Sequence, residues 1–147
     1  MFYLFLKHLH SGLRWLVLAI LILAIISSVY KLFLKRNYKN ADRRIAFFSM
    51  VALHLQFLIG IILYLVSPKV VFAGSSMSNS LLRFFLVEHI ALMMIAVILI
   101  TIGYSKAMKI SDDSAKHTRI LVFYLIGFIL ILLAIPWPWM SLGGSWF

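Results

Sequence analysis

Six ionisable side chains stand within or at the edge of long apolar runs in this sequence: His10, Arg14, His54, Arg83, Glu88 and His89. Such groups are costly in apolar surroundings, so they pair with one another or line a polar cavity, and they mark functional positions by default. The chain has no cysteine, which excludes thiolate-held clusters, zinc ribbons, covalently attached c-type haem and disulfides. Any metal must then be held by histidine, methionine or carboxylate. Neutral imidazoles on facing helices are the ligands that a b-type haem needs, together with an apolar slot and cationic groups for its propionates. His10, His54 and His89 are the candidate metal ligands. Arg14 and Arg83 are the candidate propionate partners, and Trp15, Phe84 and Phe85 are candidate walls for the ring.

The elements that must position these residues follow from composition. Of 147 residues, 64% are hydrophobic and only 12% charged, and the mean hydropathy is +1.05. A soluble domain runs near half apolar and a quarter charged, so lipid is the expected solvent. Runs of about 20 apolar residues, enough to cross a bilayer, recur four times, at Leu9–Tyr30, Ile45–Val66, Leu82–Tyr104 and Ile120–Pro136. The first lacks a small-residue cleavage site and outruns a signal-peptide core, so it is expected to stay as a helix. The net charge of +10 is concentrated in two short connections, Lys31–Arg44 and Lys106–Arg119. Basic residues beside spans report topology before they report a partner. The expected fold is therefore an all-α, four-transmembrane-helix up-and-down bundle in one domain, 1–147, multi-pass, with both basic connections in the cytoplasm and both termini on the outer side. Between the second and third spans, SPKVVFAGSSMSNS reads as an external loop with a short extended piece at Lys69–Phe72. The tail PWPWMSLGGSWF places three tryptophans at the outer interface, across the bundle mouth.

Helical spacing puts His10 and Arg14 on one face, continued by Val17, Leu21 and Ile25, and stacks His89 over Met93, Ala96 and Ile100. Gln56 lies roughly opposite His54 on the second helix and should contact a different neighbour. Counting about 1.5 Å per residue from the basic ends, Arg14 and Glu88 both come out about 24 Å up. They are expected to form a buried ion pair, since either charge alone would cost several kcal/mol, roughly, in that setting. His89 falls between His10 and His54 in depth, so either can be its partner. In an up-and-down bundle the first and third helices are diagonal, which leaves room for a cofactor between them. The fourth span carries no charge or histidine and is expected to act as a cover, its Gly127 marking close packing. His8 is read as interfacial, His117 as a loop residue, and Met93-Met94 as packing.

The strings KHLHSGLRW (Lys7–Trp15), HLQFLIGIILY (His54–Tyr64), VEHI with LMMIAVILITIGYSK (Val87–Lys106) and IPWPW (Ile135–Trp139) together resemble a family of small four-helix bacterial inner-membrane proteins commonly labelled "cytochrome B". The resemblance covers nearly the whole chain. It implies a b-type cytochrome-like bundle, with the ligand role carried by His10, His54 and His89 and polar support by Arg14 and Glu88. Three intramembrane histidines set one haem as the ceiling for bis-histidine ligation, fewer than di-haem quinol-oxidising cytochromes need.

The leading expectation is a single-haem electron carrier that exchanges electrons with quinol or a larger oxidoreductase, rather than a stand-alone enzyme; quinone is a second candidate cofactor. The alternative is a non-catalytic subunit or assembly factor of a larger inner-membrane complex, with no cofactor of its own. A proton relay is disfavoured because polar residues do not continue along the second and fourth helices. Membrane lipids are expected partners of the basic loops. Nucleic acid is not, because the aromatics lie in the spans and are not interleaved with the charges.

Overall fold

The computed structural model describes residues 1–142, so Trp146 of the expected tryptophan cluster lies outside the described residues. Four helices are long and apolar enough to cross a membrane: α1 (Phe2–Phe33), α2 (Asn40–Val66), α3 (Ser80–Ala107) and α4 (Asp113–Ala134). They form the expected all-α four-helix bundle, and there is no strand among the described residues. Each helix stops for a local reason. At the end of α1, Lys35 takes a left-handed conformation (φ 50°), and the Arg36 amide bonds back to the Lys31 carbonyl at 2.9 Å, the wrap that usually recruits glycine. The Asp42 carboxylate accepts the Lys39 amide at 2.8 Å to open α2. Ser67-Pro68 ends it, because a residue before proline is pushed out of the helical region. Asn79 Oδ1 accepts the Leu81 and Leu82 amides to open α3, and Asp112 does the same for Ala115 at the start of α4.

The helices extend beyond several expected spans. α1 begins seven residues earlier than Leu9, since nothing in FYLFLKHL breaks a helix. α4 ends at Ala134, two residues short of the expected limit. The α2–α3 connection contains a turn closed by the Val70 amide on the Ser67 carbonyl and a 3-10 helix at Gly74–Ser78, where a short extended piece was expected at Lys69–Phe72.

Packing follows the expected ring: α1 lies against α2 and α4, α3 lies against the same two, and α1 and α3 are diagonal. The closest seam is α3–α4 and the loosest of the four is α2–α3. Buried positions recur at alternating steps of three and four. On α2 they are Asp42, Ala46, Ser49, Leu53 and Gln56, and on α4 they are His117, Ile120, Tyr124, Gly127, Ile131 and Ala134. This is the seam of a left-handed bundle, with small residues letting backbones approach where lipid offers no hydrophobic drive. At the basic-loop end, Asp42 is buried and receives the Lys31 ammonium and the Ser27 hydroxyl. The Tyr124 hydroxyl donates to the Ala46 carbonyl at 2.7 Å, tying α4 to α2 across the diagonal.

Candidate functional site

A cavity of about 140 Å³ lies at the end of the bundle opposite the basic loops. Its lining includes Lys7, His10, Ser11 and Arg14 from α1, Gln56, Gly60 and Tyr64 from α2, Phe85, His89 and Met93 from α3, Ile135 and Pro136 beyond α4, and Lys69 from the loop. Of the three histidines proposed as ligands, the structure brings together two. His10 and His89 come from the diagonal helices and face each other with ring centroids 6.3 Å apart and planes at 71°.

His89 owes its orientation to two prolines. Pro136 and Pro138 have no amide hydrogen, so the carbonyls four residues before them, of Leu132 and Ala134, lose their helical donors. The Trp137 indole donates to the first at 2.9 Å, and His89 Nδ1 donates to the second at 2.7 Å. A carbonyl can only accept, so a neutral His89 carries its proton on Nδ1 and its lone pair on Nε2. A backbone carbonyl on one ring nitrogen is what fixes a histidine that offers the other to a metal. Phe84 and Phe85, expected as walls for a macrocycle, stand 6.0 and 6.4 Å from the His89 ring, and of the two only Phe85 lines the cavity. Trp15, also expected as a wall, packs instead on Trp137, 6.4 Å between centroids.

His10 is held from the second helix. Gln56 Nε2 donates to the His10 carbonyl at 2.8 Å, the separate contact its position opposite His54 requires. Gly60 carries the ring: a Cβ built there would stand 3.0 Å from His10 Cε1, so glycine is needed for close approach. Two buried polar atoms in this cavity, His10 Nδ1 and Gln56 Oε1, have no hydrogen-bond partner. Buried polar groups are nearly always satisfied, so an orphaned pair in one cleft marks a place for a polar or metal-bearing guest. Replacing Gly60 with valine should push the His10 ring aside and cost about 1–3 kcal/mol of stability, with the helical circular dichroism unchanged. An unchanged melting temperature would mean that the ring does not rest on Gly60.

Three expectations are corrected. His54 does not join the cavity. Its Nδ1 donates to the Met50 carbonyl one turn back at 2.7 Å, and its Nε2 lies 3.2 Å from Thr101 Oγ1, whose one proton goes either to that nitrogen or to the Val97 carbonyl. With both nitrogens engaged, His54 is a link between α2 and α3. His54→Leu should cost about 1 kcal/mol of stability, the scale of an interhelical hydrogen bond in a membrane, and should leave cavity binding unchanged. Loss of ligand in that variant would restore His54 to the site. Among the described residues no group of three or more histidines and carboxylates is placed to hold a metal ion; two of His10, His54 and His89 were expected to act together, and the pair that faces is His10 and His89.

The second correction is the ion pair. Glu88 pairs with Arg83, Nε to Oε1 2.7 Å, and both side chains are more than two-fifths exposed, whereas Arg14 lies 5.2 Å over the Trp15 ring. The cause is a π turn at Phe84–Glu88. In a regular helix residues five apart point about 140° apart, but the widened turn brings position 88 back towards 83 and away from α1. The Tyr64 hydroxyl bonds the Leu86 carbonyl within this turn at 2.9 Å. Such turns recur at functional sites, and this one ends at the residue before His89. Third, Arg83 lies outside the cavity and reaches the Met77 carbonyl. The cavity's cations are instead Lys7, Arg14 and Lys69, and burial, with Lys7 nearby, lowers the Lys69 ammonium below its ordinary pKa.

Sequence reasoning missed two groups. The Ala134 carbonyl was legible in the prolines, four residues ahead of Pro138. His117, expected in a loop, is buried on α4 with its ring 4.9 Å from Tyr38, and its place three residues before Ile120 on the buried stripe was the signal. Fold and cavity together define a multi-pass four-helix membrane protein with a polar, histidine-lined cleft near one end. No protein-family model, curated protein or solved structure matches the chain.

Proposed function

We propose that the protein is a b-type cytochrome-like electron carrier that would hold a single haem between α1 and α3, with His10 and His89 as the residues that hold it. The observation that carries this reading is the facing pair. The two imidazoles come from diagonal helices and face each other with ring centroids 6.3 Å apart, and imidazoles on facing helices are the ligands a b-type haem would take. The donor chemistry fits as well: the Ala134 carbonyl fixes the His89 tautomer, His10 Nδ1 is orphaned, and Lys7, Arg14 and Lys69 supply positive charge for propionates. The enclosed volume, about 140 Å³, is below the usual range for ligand sites.

When bound, haem supplies reversible one-electron chemistry. The chain's own part is to hold and orient two neutral imidazoles, keep Phe84 and Phe85 between His89 and lipid, and set cations at the rim. The resemblance to the small "cytochrome B" proteins supports the same reading. The charge pattern bears on orientation alone: by the positive-inside rule it favours both basic connections in the cytoplasm and both termini outside, and a bacterial inner membrane is what the resemblance implies. Electron exchange with quinol or with a larger membrane oxidoreductase follows from a site near the outer face. The test is a reduced-minus-oxidised spectrum of protein purified in mild detergent from cells with ample haem. A Soret band with stoichiometric extractable haem is expected, and a featureless spectrum overturns the proposal.

A further inference from the structure

At the other end of the bundle is a second cavity, of about 250 Å³, lined by Tyr38, Lys39, Asn40, Arg43, Met108 and Lys116. It lies where the α1–α2 connection meets the end of α3 and the first turn of α4, at the basic end of the loosest seam. Three of its six lining side chains are cationic and none is acidic. Two of the carboxylates nearby are engaged elsewhere, and the third, Asp113, stands against Lys116. Asp42 is buried on Lys31, Ser27 and the Lys39 amide, and Asp112 caps α4. Asp113 reaches Lys116 only at 3.8 Å and is itself more than a third exposed. Like charges gathered around one polar cavity repel, and surface lysines ordinarily spread into water. Here Lys116 is four-fifths buried, with its ammonium 5.5 Å over the Tyr38 ring, and the Tyr38 hydroxyl is buried without a hydrogen-bond partner.

We infer that this pocket binds a phosphate group, that of an anionic phospholipid in the leaflet against which the basic loops lie. Lys39, Arg43 and Lys116 neutralise it, Arg43 offers paired N–H donors, and the Tyr38 hydroxyl supplies a neutral donor. Met108 gives the pocket an apolar edge suited to a glycerol backbone rather than to a free ion. Basic pockets between helices at this depth are recognisable headgroup sites. The site is independent of the histidine cleft.

The experiment is native mass spectrometry of the full chain from micelles containing equal phosphatidylglycerol and phosphatidylcholine, with a parallel arm in which inorganic phosphate is titrated calorimetrically without anionic lipid. The wild type should retain one phosphatidylglycerol at least tenfold over phosphatidylcholine. The triple variant Lys39→Ala, Arg43→Ala, Lys116→Ala should lose that preference, whereas the charge-matched Lys35→Ala, Lys106→Ala, Lys109→Ala, at exposed positions, should keep it. Tyr38→Phe, which changes no charge, should weaken retention several-fold and guards against misfolding of the triple variant. Equal loss in both triple variants would mean diffuse attraction and overturn the proposal. Saturable binding of inorganic phosphate alone, with no lipid preference, would overturn the lipid assignment and leave the phosphate-binding residues as stated.

Discussion

Replacing His89 with alanine is expected to abolish the Soret band of the proposed haem and to lower thermal stability by about 3 kcal/mol. Two separate losses produce this result. The first is chemical: with one imidazole gone, His10 alone faces the cleft, and a bis-histidine site cannot form. The second is structural. The Ala134 carbonyl, which accepts from His89 Nδ1 at 2.7 Å, would have no donor, since Pro138 occupies the position that would normally supply one. An unsatisfied buried acceptor costs about 1–3 kcal/mol. The ring's contacts with Phe84 and Phe85 are also lost, and a large-to-small change in a packed interior adds about 2 kcal/mol or more. His89→Gln separates the two, because the glutamine amide can donate to the carbonyl but is a poor iron ligand. It should recover most of the melting temperature and none of the spectrum. A band that survives His89→Ala would remove His89 as a ligand, and a His89→Gln variant as unstable as the alanine would show that the carbonyl contact is not what the side chain provides.

The contrast between residues that were legible in the sequence and those that were not has a physical pattern. The spans were legible because apolar length is a property of composition alone. The diagonal relation of α1 and α3 followed from short connections in an up-and-down bundle, and the separate partner of Gln56 from a uniform helical period. The Arg14–Glu88 pair failed for the same reason that these succeeded: depth counting assumes an unbroken helix, and the π turn at Phe84–Glu88 inserts a rotation that no apolar pattern records. His54 stands at a depth the count left open, yet it is spent on Met50 and Thr101, because a side-chain hydroxyl on the facing helix offered a nearer partner. The Ala134 carbonyl and buried His117 were both written in the sequence, one in the spacing of two prolines and one in the alternation of steps of three and four along α4. Reading backbone carbonyls as functional groups would have found the first.

The second large effect concerns the seam that brings the Ala134 carbonyl to His89. At Gly103 on α3 an added Cβ would stand 2.4 Å from Phe123 Cβ and 2.9 Å from its Cγ. Those atoms lie next to the α4 backbone, so no rotamer change can relieve the clash and the two helices must separate. Gly127, where a Cβ would meet Ile100 at 2.7 and 2.8 Å, is more forgiving, since the obstructing atoms are the outer carbons of a flexible side chain. Overpacking of this kind costs typically about 1–3 kcal/mol, and backbone involvement puts Gly103→Val at about 3. Gly12 supplies the control, because a Cβ there meets nothing within 4 Å, and Gly12→Val should be neutral or slightly stabilising through helix propensity. Separation along α3–α4 also carries the Ala134 carbonyl away from His89, so Gly103→Val should broaden or shift the spectrum of the proposed haem although Gly103 lies nearly four turns from the histidine. Melting temperatures for the two glycine variants that agree within a degree would mean that the close approach of α3 to α4 does not hold the site.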